Sequence, residues 1–373
     1  MASNLFFISL FSTIIFIIIL FPYAIKTGLL DKPDHRKHHQ HPTPLIGGLA
    51  FFLATSLTLL FNDFQLVHKT AFVSASTLLV LVGLIDDYKG LGVKIRLAAQ
   101  IAATLIMTEI ADLKITDLGD LLGTGNINLG YFSTAFTIFA VVGGINAFNM
   151  IDGIDGLAGC LMLVSLTTIA AAARFSQNLI LYYYCVIFIA STTGFLLFNL
   201  RLFGRKNAAI FLGDTGSTLF GFTVCWLSVY ASQGEHKIIT STTVLWLMAI
   251  PLFDSISVMC RRINQGRSPF SPDREHLHHL LSRSGFSVNQ KIIIIGSYSV
   301  LLSISGFAAS FFLGVPEQVL FFIYLGIFVT FYWRINQTWK VLEITHPFVP
   351  HQETDERRTE DRRKAKKQQE SDK

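Results

Sequence analysis

The 373-residue sequence predicts an all-α, polytopic membrane protein with about eleven transmembrane helices. Three observations carry that expectation. The chain is 51% hydrophobic and only 15% charged, with a mean hydropathy of +0.50. A soluble chain of this length would carry about 25% charge. Apolar stretches close to the ~20 residues needed to cross a bilayer recur along it. Lys and Arg, finally, are unevenly shared between alternate connections.

The first stretch, residues 4–25, has no charged residue, no basic leader and no A-x-A-like cleavage site, so it reads as a retained helix. Further apolar segments run over 45–61, 70–85, 95–111, 131–151, 156–173, 179–200, 208–231, 238–260, 291–314 and 316–334. Several are near the lower length limit, and 95–111 has the least support. Eleven crossings put the termini on opposite sides. The connections 26–44, 86–96, 200–208 and 260–291, with the tail from Arg334, hold 26 of the 30 basic residues. The opposite connections hold only Lys69, Lys114, Arg174 and Lys237. Basic residues stay in the cytosol, which predicts a periplasmic N-terminus and a cytoplasmic C-terminus.

The charge of +5 and pI near 9.0 follow from that bias. No soluble basic domain is available to hold nucleic acid, so nucleic acid is not an expected partner. Cys160, Cys185, Cys225 and Cys260 fall within or at the ends of apolar segments without metal-ligand spacing, and read as packing residues. The domain plan is a transmembrane catalytic domain over 1–340 and a charged cytoplasmic tail over 341–373. In residues 353–373, 15 of 21 positions are charged and none is aromatic, so the tail is expected to be disordered or to rest on anionic headgroups. The outer connection 112–130 reads as a solvated linker.

Charged groups at membrane depth are costly and mark function, and here five separate stretches deliver them to the cytoplasmic side. Asp86-Asp87 ends the third segment. The pair is either a solvated helix end beside Lys89, or two carboxylates that hold a divalent cation or force one another to act as a base. Between Gly144 and Gly159, residues Asn146, Asn149 and Asp152 recur every three residues and share one helical face. Gly153 and Gly156 then break the helix, around Asp155, and let a ligand approach the backbone; the plainer alternative is a Gly-rich turn with Asx caps. Asp214 opens the eighth segment within Phe211-Leu212-Gly213-Asp214-Thr215-Gly216-Ser217, as a helix cap or as an oxygen ligand for Mg²⁺. Asp254 lies near the cytoplasmic end of the ninth. The stretch 268–279 brings Arg274, His276, His278 and His279 together. His276 and His279 have a spacing that zinc could use, but no Cys lies nearby; phosphate and sugar contacts suit the group better, and a solvated loop is the third option. His35, His38, His39 and His41 are as fit for solvation as for ligand contact. Lys94 and Arg96 are either interfacial anchors or contacts to a diphosphate.

Together, Asp31-Lys32-Pro33, Pro42-Thr43-Pro44-Leu45-Ile46-Gly47-Gly48, Asp86-Asp87, the 144–159 stretch, 211–217 and the histidine loop make a specific set. Over about residues 28–286 the chain resembles the polyprenyl-phosphate N-acetylhexosamine-1-phosphate transferases. Its 268–279 stretch is similar to that of the bacterial members using UDP-N-acetylglucosamine and undecaprenyl phosphate, and unlike the histidine loop of the peptidoglycan branch. The resemblance implies a multi-pass enzyme of the bacterial inner membrane with a cytoplasmic active site. Its partners would be UDP-N-acetylglucosamine, undecaprenyl phosphate and membrane lipid, with a second copy of the chain as a candidate, and its product would start O-antigen or a related envelope glycan. It implies Mg²⁺, with Mn²⁺ as the alternative, held by Asn149 and Asp214. It also implies catalytic roles for Asp86, Asp87 and Asp152, a uracil contact at Asp155 with Phe211 against the base, and a diphosphate contact at Lys94. Arg274, His276, His278 and His279 would form the sugar-side wall.

Elementary chemistry agrees. A UDP-sugar brings two negative charges and the lipid acceptor up to two more, so a cation and basic side chains are needed for approach. A phosphomonoester has its second pKa near 6 and is largely ionised already. Positioning and charge neutralisation should therefore outweigh general-base help. Direct attack by the lipid phosphate and a covalent Asp–phosphosugar intermediate both remain open at this level.

Overall fold

The computed structural model describes residues 1–31, 42–61, 68–202, 204–269 and 275–345. The chain divides into two units, Met1–Tyr332 and Trp333–Lys373; of the tail beyond Thr345 nothing is described.

All eleven apolar segments are helical. In chain order the α-helices are α1 (Ala2–Thr27), α2 (Gly47–Leu60), α3 (Lys69–Lys89), α4 (Val93–Leu105), α5 (Ser133–Ile151), α6 (Leu157–Phe175), α7 (Leu179–Asn199), α8 (Gly213–Ser232), α9 (Ser241–Leu247), α10 (Ala249–Asn264), α11 (Leu277–Arg283), α12 (Val288–Phe311) and α13 (Glu317–Thr345). Among the described residues seven helices are long and apolar enough to span a bilayer, or eight if α9 and α10 count as one span. The expected eleven also counts α2, α4 and α8, which are helical but fall short of that length or apolarity. α2 has 14 residues, and α4 has 13 before a π-helical turn over Ile106–Ile110. α8 is long enough but rich in Gly, Ser and Thr.

The composition of α8 has a packing reason. It is buried along almost its whole length, against α2, α3, α5 and α6. A helix that touches protein rather than lipid gains nothing from large apolar side chains on every face, and small residues let neighbours close in. A Cβ on Gly48 of α2 would lie 2.4 Å from the Cα of Gly216 on α8, so the two backbones meet where neither carries a side chain. Around this contact Phe51, Phe188, Phe195, Phe220, Phe222 and Trp226 are fully buried and pack edge-on or stacked. α1 is the opposite case: Phe7, Ile8, Phe11, Ile15, Ile18 and Ile19 are exposed apolar residues, as a lipid-facing helix requires.

The ninth segment, expected as one helix over 238–260, is broken at Met248, where α9 and α10 meet at 79°. Pro251 supplies no N–H for the carbonyl of Leu247. Ser165 Oγ of α6 donates to that carbonyl instead, at 2.9 Å. The outer connection 112–130, expected as a solvated linker, is tied down. Gln233, at the end of α8, accepts from the backbone N–H groups of Thr116 (3.0 Å) and Asp117 (3.1 Å) and donates to the Asp117 carbonyl (2.9 Å). The four cysteines are free, as expected of packing residues.

The Pro42–Gly48 motif has a structural use. Thr43–Pro44 pairs antiparallel with Leu30–Asp31, and Leu45 bridges Phe211. The otherwise orphaned N–H groups of Gly47 and Gly48, at the start of α2, donate to the carbonyls of Phe211 and Leu212, both at 3.0 Å. The start of α2 and the approach to α8 are thereby locked together beside the polar helix ends.

Candidate active site

A cavity of about 850 Å³ opens at the end of the bundle where α3 and α5 finish and α8 begins. That is ample for a nucleotide sugar, since ligand sites run to about 300–1,000 Å³. Asp86, Asp87, Asp152 and Asp214 form an acidic corner of its wall. Asp155, Arg201 and Lys291, with His278, His279 and Ser282 of α11, form another part. Asp31 and Phe211 also line it.

In the acidic corner the adjacent aspartates do different work. Asp87 accepts from the backbone N–H groups of Asp214 (2.7 Å) and Thr215 (3.2 Å), and from Thr215 Oγ1 (2.6 Å). It is a cap, supplied from α3, for the first turn of α8, where unpaired N–H groups and the helix dipole favour an anion. Gly213 makes the approach possible. Its φ is +76°, a left-handed conformation that Gly adopts freely, and a Cβ there would lie 2.6 Å from Asp87 Oδ2. Asp86 turns the other way. It is 7% exposed, accepts from Leu91 N at 2.5 Å and pairs with Arg96 Nη1 at 3.2 Å. The same Arg96 nitrogen lies 3.7 Å from Asp214 Oδ2, so one guanidinium offsets two carboxylates. Asn149 stands behind Asp214, with Nδ2 donating to Asp214 Oδ1 (2.9 Å) and Ser217 Oγ (2.8 Å). Asn146, on the same face of α5, donates to Gln100 Oε1 at 2.8 Å.

Asp152 follows the last turn of α5 on the cavity wall. Burial, then the carboxylates of Asp214, Asp155 and Asp87, push its carboxyl up to about 8. Three residues on, Asp155 Oδ2 accepts from Arg201 Nε at 2.7 Å and, at 3.4 Å, from Ala208 N. Gly156 N donates to Asn199 Oδ1 at 2.7 Å, while Asn199 Nδ2 donates to the Ile210 carbonyl at 2.8 Å. The side chains that end α7 thus fasten the glycine turn to the segment leading into α8.

The histidines separate into one that holds and two that face the cavity. His276 is 6% exposed and is the N-cap residue of α11. Its Nδ1 lies 2.8 Å from Asp254 Oδ2, and Leu277 N donates to Asp254 Oδ1 at 2.7 Å. Asp254, 3% exposed on α10, therefore anchors α11 by both its first N–H and its cap imidazole. His278 and His279 then line the cavity with ring centroids 4.1 Å apart. His278 packs on Gly153, where a Cβ would lie 2.2 Å from Nε2. Burial, with the neighbouring charges of His279, His276 and Lys291, holds His278 well below the usual imidazole range, so it faces the cavity neutral.

Of the residues singled out from sequence, Asp86, Asp87, Asp152, Asp155, Phe211, Asp214, His278 and His279 line this one cavity. Asn149 and His276 stand one layer behind it. Lys94 does not join them: it is exposed on the first turn of α4 and outside the lining. Two positions along a helix differ by about 200°, so only one of Lys94 and Arg96 can face the acids; that one is Arg96. Arg274, His35, His38, His39 and His41 lie outside the described residues. Asn199, Arg201, Lys291 and the anchoring role of Asp254 were not anticipated. Asn199 had counted only as part of an apolar helix end, and Arg201 and Lys291 only as interfacial charge.

Among the described residues no three His, Cys, Asp or Glu side chains converge as a ready-made metal cage. Mg²⁺ does not need one, since it binds through one or two carboxylates and completes its octahedron with water and substrate phosphate. The hard-oxygen carboxylates around Asp214 fit that demand, and the absence of cysteine there fits it better than zinc.

Comparison with known proteins agrees in kind. The glycosyl transferase family 4 pattern matches residues 69–232, the stretch holding α3 to α8. An undecaprenyl-phosphate alpha-N-acetylglucosaminyl 1-phosphate transferase of Salmonella typhi is 40% identical over 339 residues, covering 91% of this chain and 92% of the relative. Proteins of the same name from Yersinia pestis and Haemophilus influenzae are 38% and 33% identical, over 93% and 90% of this chain and 95% and 94% of their own.

Proposed function

The chain belongs to glycosyl transferase family 4, and we propose that it transfers N-acetylglucosamine-1-phosphate from UDP-N-acetylglucosamine to undecaprenyl phosphate. UMP is released, and the lipid-linked diphosphate sugar would start O-antigen or a related envelope glycan. The observation that carries this proposal is one cavity, at the polar end of a membrane bundle, with an acidic corner and a wall of imidazole and basic groups. The printed names of the relatives support the acceptor and the transferred group. The bias of basic residues supports a cytoplasmic site in the inner membrane.

In the proposed reaction a lipid phosphate oxygen attacks the phosphorus that carries the sugar. A phosphorus–oxygen bond forms there, the bond to the bridging oxygen breaks, and UMP leaves with that electron pair. One phosphoanhydride replaces another, so little free energy separates the two sides. Mg²⁺ or Mn²⁺, held at Asp214 with Asn149 behind it, would neutralise charge on the diphosphate. The residues of the chain do the rest. Asp87 holds the start of α8, and so fixes Asp214. Arg96 limits repulsion among Asp86, Asp214 and incoming phosphate. Asp155 and Phe211 take the uracil side, and His278 and His279 bound the sugar. Asp87 engages three donors already, which makes it a positioning group more than a base.

The test is UMP release by purified protein in detergent, with undecaprenyl phosphate and a panel of radiolabelled UDP-sugars. UDP-N-acetylglucosamine should be the preferred donor, and chelation of divalent cations should stop turnover. Turnover that persists in chelator would sink the metal assignment, and preference for another sugar would sink the donor.

A further inference from the structure

Lys291 is a cation held inside the fold with little to compensate it. It is 5% exposed, on the first turn of α12. Burying an ammonium costs several kcal/mol unless a carboxylate compensates. Among the described residues no carboxylate lies within ion-pair distance of it. Its one hydrogen-bond partner among them is neutral, the Ser282 hydroxyl at 2.7 Å, and Ser282 spends its own proton on the His278 carbonyl. The position is also wrong for a helix, whose N-terminal turn repels a cation. Arg201 is near enough to repel it further, with Asp155 offsetting this only in part. Yet the side chain lines the large cavity, next to His278, His279 and Asp155.

We propose that Lys291 is a donor-binding residue: its ammonium donates to an anionic or carbonyl oxygen of the uridine nucleotide. The protein tolerates a charge that the empty fold does not need because bound nucleotide supplies the missing acceptor. Two donors remain on the ammonium after the bond to Ser282. Asp155 and Arg201 stand beside it, so the three residues offer a mixed surface of one carboxylate and two cations. The acidic corner repels anions; this part of the wall attracts them. The orientation of the nucleotide follows, with its reacting phosphate toward Asp214 and its uridine toward α12. Ser282 ties the ammonium to α11, so nucleotide held here also steadies the helix that carries His278 and His279.

The proposal rests on the donor being a UDP-sugar, and the test separates the two. Lys291→Met keeps the length and removes the charge; Lys291→Gln keeps hydrogen bonding. UMP and uridine binding would be measured by calorimetry in detergent, beside steady-state kinetics and thermal unfolding. UMP affinity and the KM for UDP-N-acetylglucosamine should each worsen roughly tenfold in Lys291→Met. The lipid KM and kcat should stay within about threefold, and Lys291→Gln should lie between. Ligand-free Lys291→Met should unfold at the same or a higher temperature, since a poorly compensated charge is gone. A loss for UMP with uridine unchanged assigns the contact to phosphate, and a loss for both assigns it to the nucleoside; either supports the proposal. UMP bound equally by wild type and Lys291→Met overturns it. So does a less stable variant whose donor and lipid KM values rise together, since the residue is then holding α11 to α12. Wild type that binds no UMP overturns the UDP-sugar reading itself.

Discussion

The acidic corner and the basic wall of the cavity are built in different ways. In the corner, four aspartates stand at the ends or starts of apolar helices, in short motifs with glycine and asparagine beside them. Their places are set by backbone: Asp87 caps α8, and Asp214 is the second residue of that helix. The wall and its anchor draw on four other helices. Arg201 follows α7, Asp254 lies on α10, His278 and His279 on α11 and Lys291 on α12. Helix ends put charge at one depth whatever the packing, but only packing decides which helix ends become neighbours. The corner should therefore govern chemistry and the start of α8, and the wall should govern which donor binds.

Predictions that could break this contrast run from large effects to small. Asp214→Asn should lower turnover about 10³-fold while the protein inserts and unfolds normally, read by UMP release beside thermal unfolding. Full activity in that variant at low Mg²⁺ would remove Asp214 from the chemistry. His279→Ala should lower turnover with UDP-N-acetylglucosamine about tenfold or more but change UMP affinity less than about threefold. Asp254→Ala keeps both imidazoles but unpins α11, the helix that carries them, so it should act in the same direction and cost about 1–3 kcal/mol of stability. If UMP affinity collapses in step with turnover, the imidazoles hold the nucleotide or the fold, and the contrast between nucleotide and sugar contacts within the wall is lost.

The next prediction concerns pH. The Asp152 carboxyl, pushed up to about 8 by burial first, lies above its unfolded value of about 3.9. The folded ligand-free chain thus holds an extra proton between those values, and its stability falls as pH rises through that window. Asp152→Asn removes the slope, so the variant should gain on wild type between pH 6 and 8.5, by roughly 2–4 °C for each kcal/mol relieved. Parallel unfolding curves at both pH values would show that Asp152 is ionised throughout. The smallest effect is expected from the tail. Deletion of residues 351–373 should leave specific activity within about threefold, since that stretch has no apolar face to bury; a loss beyond about tenfold with normal insertion would give it a role in catalysis.

The amino-acid sequence by itself determined that this is a helical membrane protein, where its apolar segments lie, and which end of them carries the acids. Those properties are local. An apolar run of about 20 residues must form a helix in lipid to satisfy its own backbone, and an aspartate at the end of such a run can only sit near its surface. Asp86-Asp87, Asp152, Asp155 and Asp214 were legible for that reason, as was the histidine loop. Hydropathy could not show that the segment 238–260 is broken, because the proline inside it bends the helix only where a neighbour such as Ser165 takes the freed carbonyl. It could not tell an interior helix like α8 from a lipid-facing one like α1. Nor could it choose between Lys94 and Arg96, two positions apart, without the direction each takes from α4. Arg201 and Lys291 look like any interfacial cation in the sequence. Only the tertiary structure decided that they turn inward, because the cost of burying a charge, and the cavity that justifies it, arise when α7, α11 and α12 meet.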